Sequence, residues 1–265
     1  MHNVVLMAFI ATLGTWLLTA LGAAIVLVIK KPNQNFLNLM LGFSAGVMIA
    51  ASFWSLLQPA IERAEAALKI PAYIIVTIGF LFGAVFIFLS DKAVTFAIQK
   101  TDSAANNNKI NRIILLVLSI TIHNIPEGLA VGVAFGLLKD NPQDIGALMG
   151  AVSIAIGIGL QNFPEGAAVS LPLKREGYSK GKSFLFGQAS ALVEPIAGVV
   201  GALLVSSVET ILPFALSFAA GAMILVAVHE LIPECQENKI SQPYTATMGI
   251  IFGFAVMMLL DVMLG

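Results

Sequence analysis

Residues 145–171 read IGALMGAVSIAIGIGLQNFPEGAAVSL, and Glu165 is the single ionisable side chain among these 27 residues. About 20 apolar residues suffice to cross the ~30 Å hydrocarbon core of a bilayer as a helix. A run this long and this apolar therefore reads as a membrane span rather than a helix of a soluble core. The exceptions to its apolar character, Gln161, Asn162 and Glu165, fall together. A charge at the centre of such a helix costs roughly 2.5–3.5 kcal/mol on insertion scales, so a buried carboxylate here demands a function.

The same reading extends along the chain. Further spans are expected at 5–29, 36–60, 72–98, 112–138, 182–206, 211–234 and 244–264. The composition agrees: 58% of the 265 residues are hydrophobic and 11% are charged, against about 25% charged in a soluble domain. The predicted fold class is an all-α integral membrane protein with eight transmembrane helices. Residues 1–265 are expected to form one transmembrane domain, multi-pass in the cell (plasma or inner) membrane. The N-terminus is apolar and without a basic leader, so it reads as the first span rather than a cleaved signal. The longest connection, about 99–111 between the third and fourth helices, is polar and lacks histidine, which fits a linker rather than a metal-collecting tract.

Charge sets the expected orientation. Of the 14 Lys and Arg, 11 belong to one set of alternate loops and 3 (Arg63, Lys69 and Lys139) to the other. The positive-inside rule places the first set in the cytoplasm and both termini outside. The net charge of −1 gives no field suited to nucleic acid. The lone Cys235 excludes an internal disulfide and a thiolate zinc cluster, and reads as a small buried thiol.

A motif occurs twice. The fourth helix carries His123-Asn124-Ile125-Pro126-Glu127-Gly128, and the fifth carries Gln161-Asn162-Phe163-Pro164-Glu165-Gly166. Consecutive spans run in opposite directions, so the echo is inverted. Inverted repeats with interrupted helices at mid-membrane mark transporters.

Glu127, Glu165 and Glu194 fall deep in three spans with His123 close by, and no Lys or Arg lies at comparable depth. Unpaired carboxylates there must protonate or bind cations. His123 and Glu127 share a helix face at i and i+4, with Asn124 on nearly the same face, and Gln161, Asn162 and Glu165 repeat the geometry. Imidazole plus carboxylate suits zinc and other first-row dications. Pro126 and Pro164 deprive the carbonyls of Ile122 and Leu160 of their helical partners. Gly128 and Gly166 allow a neighbouring helix to come close. Each feature also has a plainer reading: a kink and packing notch for Pro-Glu-Gly, interhelical glue for Asn124 and Asn162, and for Glu194 a protonated carboxyl bonded to Gln188 or Ser190.

A second cluster, His229-Glu230-Leu231-Ile232-Pro233-Glu234, ends the seventh helix. His229, Glu230 and Glu234 form a candidate cytoplasmic exit site, or an ordinary polar helix end. Glu62 and Glu65 read as a solvated helix end or a cation entrance. Asp91 and Asp261 read as interfacial, and Trp16 and Trp54 as interface anchors.

At 123–128, 161–166, Glu194 and 229–234 the chain resembles the ZIP (Zrt/Irt-like) family of divalent metal transporters, over essentially its whole length and nearest its GufA-like bacterial branch. The resemblance implies a two-metal site between the fourth, fifth and sixth helices. His123, Glu127, Gln161 and Glu165 would hold one ion. Asn124, Asn162 and Glu194 would hold the other, with Glu127 and Glu165 bridging. Many relatives have histidine where this chain has Gln161, which removes a good nitrogen ligand. Two dications against three glutamates leave a filled site near neutral, which suits movement through a low dielectric. The resemblance further implies zinc import, with Cd2+, Fe2+ or Mn2+ as other cargo. It implies an elevator-type motion of one helix bundle against another, is compatible with a homodimer, and calls for no organic cofactor.

Three other readings compete. A proton-coupled transporter of organic solutes would use membrane carboxylates as proton relays, but it explains His123 poorly and does not need the duplicated amide–carboxylate pairs. An intramembrane zinc-dependent hydrolase needs an open metal position and a general base, but the helix carries H-x-x-x-E rather than H-E-x-x-H. An enzyme is therefore not expected. A non-transporting metal sensor would bind zinc without carrying it.

Overall fold

The computed structural model describes the chain apart from residues 1, 30–32, 103–107, 140–143, 176, 208–210, 237–243 and 265. The described residues contain helices and no strand. In chain order, α1 is His2–Val28, α3 is Ala72–Asp102, α4 is Asn108–Gly136, α5 is Ile145–Arg175 and α8 is Thr245–Leu264. The other three rods are compound. In α2 a π-helical stretch, Ser52–Leu57, joins Gln34–Ala51 to Gln58–Ala67. Rod α6 runs Lys180–Ala189, breaks over 190–192, and resumes as Val193–Ser207. In α7 a π-helical stretch, Ala227–Leu231, separates Leu212–Val226 from Ile232–Cys235.

Seven of these rods are long and apolar enough to cross a membrane. The chain is a multi-pass membrane protein. The structure carries α3 to Asp102 and starts α4 at Asn108, so helix enters the expected 99–111 connection from both sides.

Local chemistry sets the rod ends. The Asn33 side chain accepts from the Asn35 amide at 3.0 Å, Asp144 from Ala147 at 3.0 Å and Ser179 from Lys182 at 3.3 Å. Each satisfies an N–H that has no partner within its helix. Lys180 Nζ donates to the Leu27 carbonyl at 2.6 Å and closes the end of α1. Gly177, at φ 97°, makes the turn into α6 that a side chain would strain.

The rods pack as two sets. α1, α4, α5 and α6 form one, with α1 against α5 and α4 against α6. α2, α3, α7 and α8 form the other, with α2 against α8 and α3 against α7. The sets meet where α5 touches α2 and α8 and where α4 touches α3 and α7. Lipid has no hydrophobic advantage over leucine, so such helices associate by close backbone approach. A Cβ added to Gly166 would sit 2.0 Å from the Thr19 carbonyl oxygen, and one on Gly128 would sit 2.5 Å from that of Glu194. The two motif glycines are thus contact points, as expected.

Pairing the rods brings out a further repeat. Gly79-x-x-Phe82-Gly83…Leu89-x-Asp91 in α3 matches Gly249-x-x-Phe252-Gly253…Leu259-x-Asp261 in α8. Ala45-Gly46-x-Met48-Ile49 in α2 matches Ala220-Gly221-x-Met223-Ile224 in α7, and a π-helical stretch follows each. The packing pairs exchange with the sequences: α2 with α8 corresponds to α7 with α3.

Both tryptophans are half-buried. Trp16 Nε1 donates to the Gln188 carbonyl at 3.1 Å. Trp54 stacks edge-on to Phe254 of α8 at 5.3 Å between centroids. These contacts tie α1 to α6 and α2 to α8.

Candidate metal centre

Three helices of the first set bring the motif residues together. His123, Asn124 and Glu127 project from one face of α4, Gln161, Asn162 and Glu165 from α5, and Glu194 from the first turn of α6 after its break. All are buried except Glu165, which is partly buried. The sequence suggested an unbroken sixth helix. The break at 190–192 leaves the Ser190 carbonyl free to accept from Asn124 Nδ2 at 3.0 Å, which locks α4 to α6.

Each glutamate is held by neutral donors. Gln161 Nε2 donates to Glu127 Oε1 at 2.7 Å. Ser44 Oγ of α2 donates to Glu165 Oε1 at 2.7 Å, across the boundary between the two sets. Glu194 receives Asn162 Nδ2 on both oxygens at 2.9 Å, together with the Thr15 hydroxyl of α1. Gln188 and Ser190, the partners that the sequence suggested for Glu194, instead donate to Leu185 and Gly187 of their own helix. Hydrogen bonds orient a carboxylate but do not neutralise it. Among the described residues no Lys or Arg forms an ion pair with these three.

Three acceptors in the cluster remain buried without a donor: Glu127 Oε2, Gln161 Oε1 and Asn162 Oδ1. An unsatisfied buried polar atom costs about 1–3 kcal/mol, and more if charged. His123 Nε2 lies 3.0 Å from Glu230 Oε1, off the line of a hydrogen bond. No three His, Cys, Asp or Glu side chains close on one point among the described residues. The carboxylates are instead interleaved with amides, so a cation here would use oxygen donors of both kinds and one imidazole.

A cavity of about 280 Å³ reaches His123, Asn124, Glu127 and Glu165, with Glu230 and Glu234 of α7 on its other side. Gln161, Asn162 and Glu194 lie behind these residues and do not line it. The expected exit cluster therefore divides. Glu230 and Glu234 face the cavity, whereas His229 is exposed and lies 3.8 Å from Asp91 of α3. The π-helical stretch that contains His229 and Glu230 widens the turn on which they sit.

A second cavity, about 490 Å³, opens further along the same two helices, beside Ala134 of α4 and Ala151 of α5. Its polar lining includes Ser55, Gln58, Glu62 and Asp261. Asp261, partly buried, accepts from Ser55 at 2.7 Å and from Ser153 at 3.4 Å. The buried side chains of Ala130, Val131 and Ile158 fall between the two cavities in sequence along α4 and α5. Sequence reasoning missed Thr15, Ser44, Ser55 and Ser153. Their only local signal is a hydroxyl in an apolar run, which is common in membrane helices.

Comparison with known proteins agrees with this architecture. The model of the ZIP zinc transporter family matches residues 3–113 and 106–261. The chain is 38% identical to a protein named zinc transporter ZIP11 from Xenopus tropicalis, over 100% of this chain and 99% of that protein. It is 36% identical to zinc transporter ZIPB of Bordetella bronchiseptica, over 93% and 78% of the two chains. It is 34% identical to zinc transporter GufA of Myxococcus xanthus, over 97% and 98%. These relatives are named as transporters, not enzymes. From the family model and from the relatives' near-complete coverage, the chain belongs to the ZIP zinc transporter family.

Proposed function

We propose that this protein carries divalent metal ions, zinc first, across a cell membrane into the cytoplasm. Cd2+, Fe2+ and Mn2+ are further cargo. The observation that carries the proposal is the set of orphaned buried acceptors, Glu127 Oε2, Gln161 Oε1 and Asn162 Oδ1, among carboxylates that lack a cationic partner. One dication satisfies such a set, whereas a proton satisfies one oxygen.

Two ions bind between α4, α5 and α6. His123, Glu127, Gln161 and Glu165 hold the first, and Asn124, Asn162 and Glu194 hold the second, with Glu127 and Glu165 shared. The first is the one the cavity reaches directly. His123 supplies the single nitrogen, and Gln161 supplies a weaker amide oxygen, which favours release over tight retention.

All eight rods span the membrane, with both termini outside, as the basic loops dictate. The cavity that holds Glu230 and Glu234 then faces the cytoplasm, and the cavity that holds Asp261 faces outward. Seven residues of α4 separate Glu127 from Ala134, about 10 Å at 1.5 Å per residue. An ion passes that barrier when the set α1, α4, α5 and α6 slides as a unit against α2, α3, α7 and α8. The Ser44–Glu165 and His123–Glu230 contacts cross the sliding boundary and must break in each cycle. Two copies of the chain form a homodimer in the membrane.

The test is zinc uptake into sealed proteoliposomes with an indicator inside, comparing the parent with Glu127→Ala/Glu165→Ala. Saturable uptake in the parent and none in the folded mutant is expected. Equal uptake by both would sink the site assignment. Mutation-sensitive zinc binding without uptake would make the protein a sensor.

A further inference from the structure

Over 4–28, α1 is apolar except for three threonines, Thr12, Thr15 and Thr19, which share one face and are all buried. Thr12 donates to the Ala8 carbonyl of its own helix at 2.8 Å, and Thr19 to that of Thr15 at 3.4 Å. Such back-bonding is how a hydroxyl is accommodated in an apolar helix. Thr15 does something further, because its hydroxyl reaches Glu194 of α6, 179 positions away in sequence. The Thr12 carbonyl lies 3.0 Å from the same hydroxyl.

A threonine hydroxyl carries one proton and so serves one of these acceptors at a time. A carboxylate is the stronger acceptor, by about twofold over a neutral one. Asn162 completes the arrangement, donating to both oxygens of Glu194 while its own Oδ1 stays without a donor. The carboxylate is thus fixed from α1 and α5 at once.

We propose that Thr15 is a positioning residue for the metal site. Its hydroxyl holds the Glu194 carboxylate in place before the cation arrives, and keeps that bond to Oε2 while Glu194 ligates through Oε1. Partners that orient a metal ligand tune its affinity, and their loss typically costs about 10–100-fold in affinity or activity. The inference rests on the reading of Glu194 as a ligand, and its test separates the two.

The experiment is zinc uptake by proteoliposomes across a range of zinc concentrations at matched amounts of folded protein. The variants are Thr15→Val, Thr15→Ala, Thr15→Ser, Glu194→Gln and Thr15→Val/Glu194→Gln. Loss of the hydroxyl in Thr15→Val and Thr15→Ala is expected to raise the half-saturating zinc concentration about 10-fold or more. Uptake at saturating zinc should stay near the parent's. Thr15→Ser keeps the donor and should stay close to the parent on both measures. In the Glu194→Gln background, Thr15→Val should add nothing. A parent-like Thr15→Val beside an impaired Glu194→Gln overturns the inference and leaves the metal site standing. A parent-like Glu194→Gln overturns both. Equal impairment of Thr15→Ser and Thr15→Val reduces Thr15 to packing and also overturns it. Should Thr15→Val fail to fold, Thr15→Ala carries the same comparison.

Discussion

The two helix sets use one packing device for different ends. In α1, α4, α5 and α6, Gly166 accepts the Thr19 carbonyl at a distance no Cβ tolerates; in α2, α3, α7 and α8, Gly83 does the same with Phe218, where a Cβ would sit 1.9 Å away. What differs is what lies beside the contact. The first set holds every fully buried carboxylate and the buried histidine among the described residues. In the second set buried polar groups are Asn38 and serines, and Asp91, Glu230 and Asp261 are only partly buried. Close backbone packing therefore does not require buried charge. The charge in the first set is an added liability that only a function explains, and the second set supplies neutral or rim-placed partners such as Ser44 and Glu230.

The largest test of that contrast is charge removal at constant shape. Glu127→Gln should abolish zinc uptake while raising the unfolding temperature of the zinc-free protein, because a functional site sacrifices stability. Asp91→Asn, in the other set, should do neither. A Glu127→Gln protein that unfolds earlier than the parent would mean that the carboxylate is structural. Next in size is the response to cargo. Zinc at about 100 times its dissociation constant should stabilise the parent by about 2.7 kcal/mol, and chelation should reverse the shift. Glu127→Ala/Glu165→Ala should show no such shift in a thermal melt.

The shared device predicts a shared penalty. Gly166→Ala and Gly83→Ala should each cost about 1–3 kcal/mol or more, since the new methyl meets backbone that cannot turn aside. A loss confined to one set would break the equivalence of the sets. The smallest effect separates His229 from Glu230. His229→Ala removes an exposed side chain outside the cavity and should change uptake by no more than about twofold, in line with ±0.5 kcal/mol for surface positions. Glu230→Ala should change it more, because Glu230 lines the cavity and touches His123. Uptake kinetics of the two variants side by side decide the point.

Much of the fold was legible in local sequence. Runs such as 145–171 announce spans by length and composition alone, and the repeated Pro-Glu-Gly with its flanking amides places the candidate ligands on two facing helices. Glu194 was legible as a misplaced charge. Its partner was not, because Thr15 lies on a helix far away in sequence and one threonine in an apolar run carries no periodic signal. The breaks in α6 and the π-helical stretches in α2 and α7 were also hidden. Pro195, in the first turn after 190–192, is the one local hint of that break, and a π-helical turn differs from an α-helical turn by one residue. The likeness of 79–91 to 249–261 lay open in the sequence, but its bare glycines, Phe and Asp gain meaning only once α3 with α7 and α2 with α8 are seen to pack alike.

The most direct test of the central claim is an anomalous difference map measured at the zinc absorption edge on zinc-loaded crystals. Peaks among His123, Glu127, Gln161 and Glu165, and between Asn162 and Glu194, are the predicted result. Zinc confined to Asp91 and His229, or to the Asp261 cavity, with the α4–α5–α6 cluster empty at saturating metal, would contradict it.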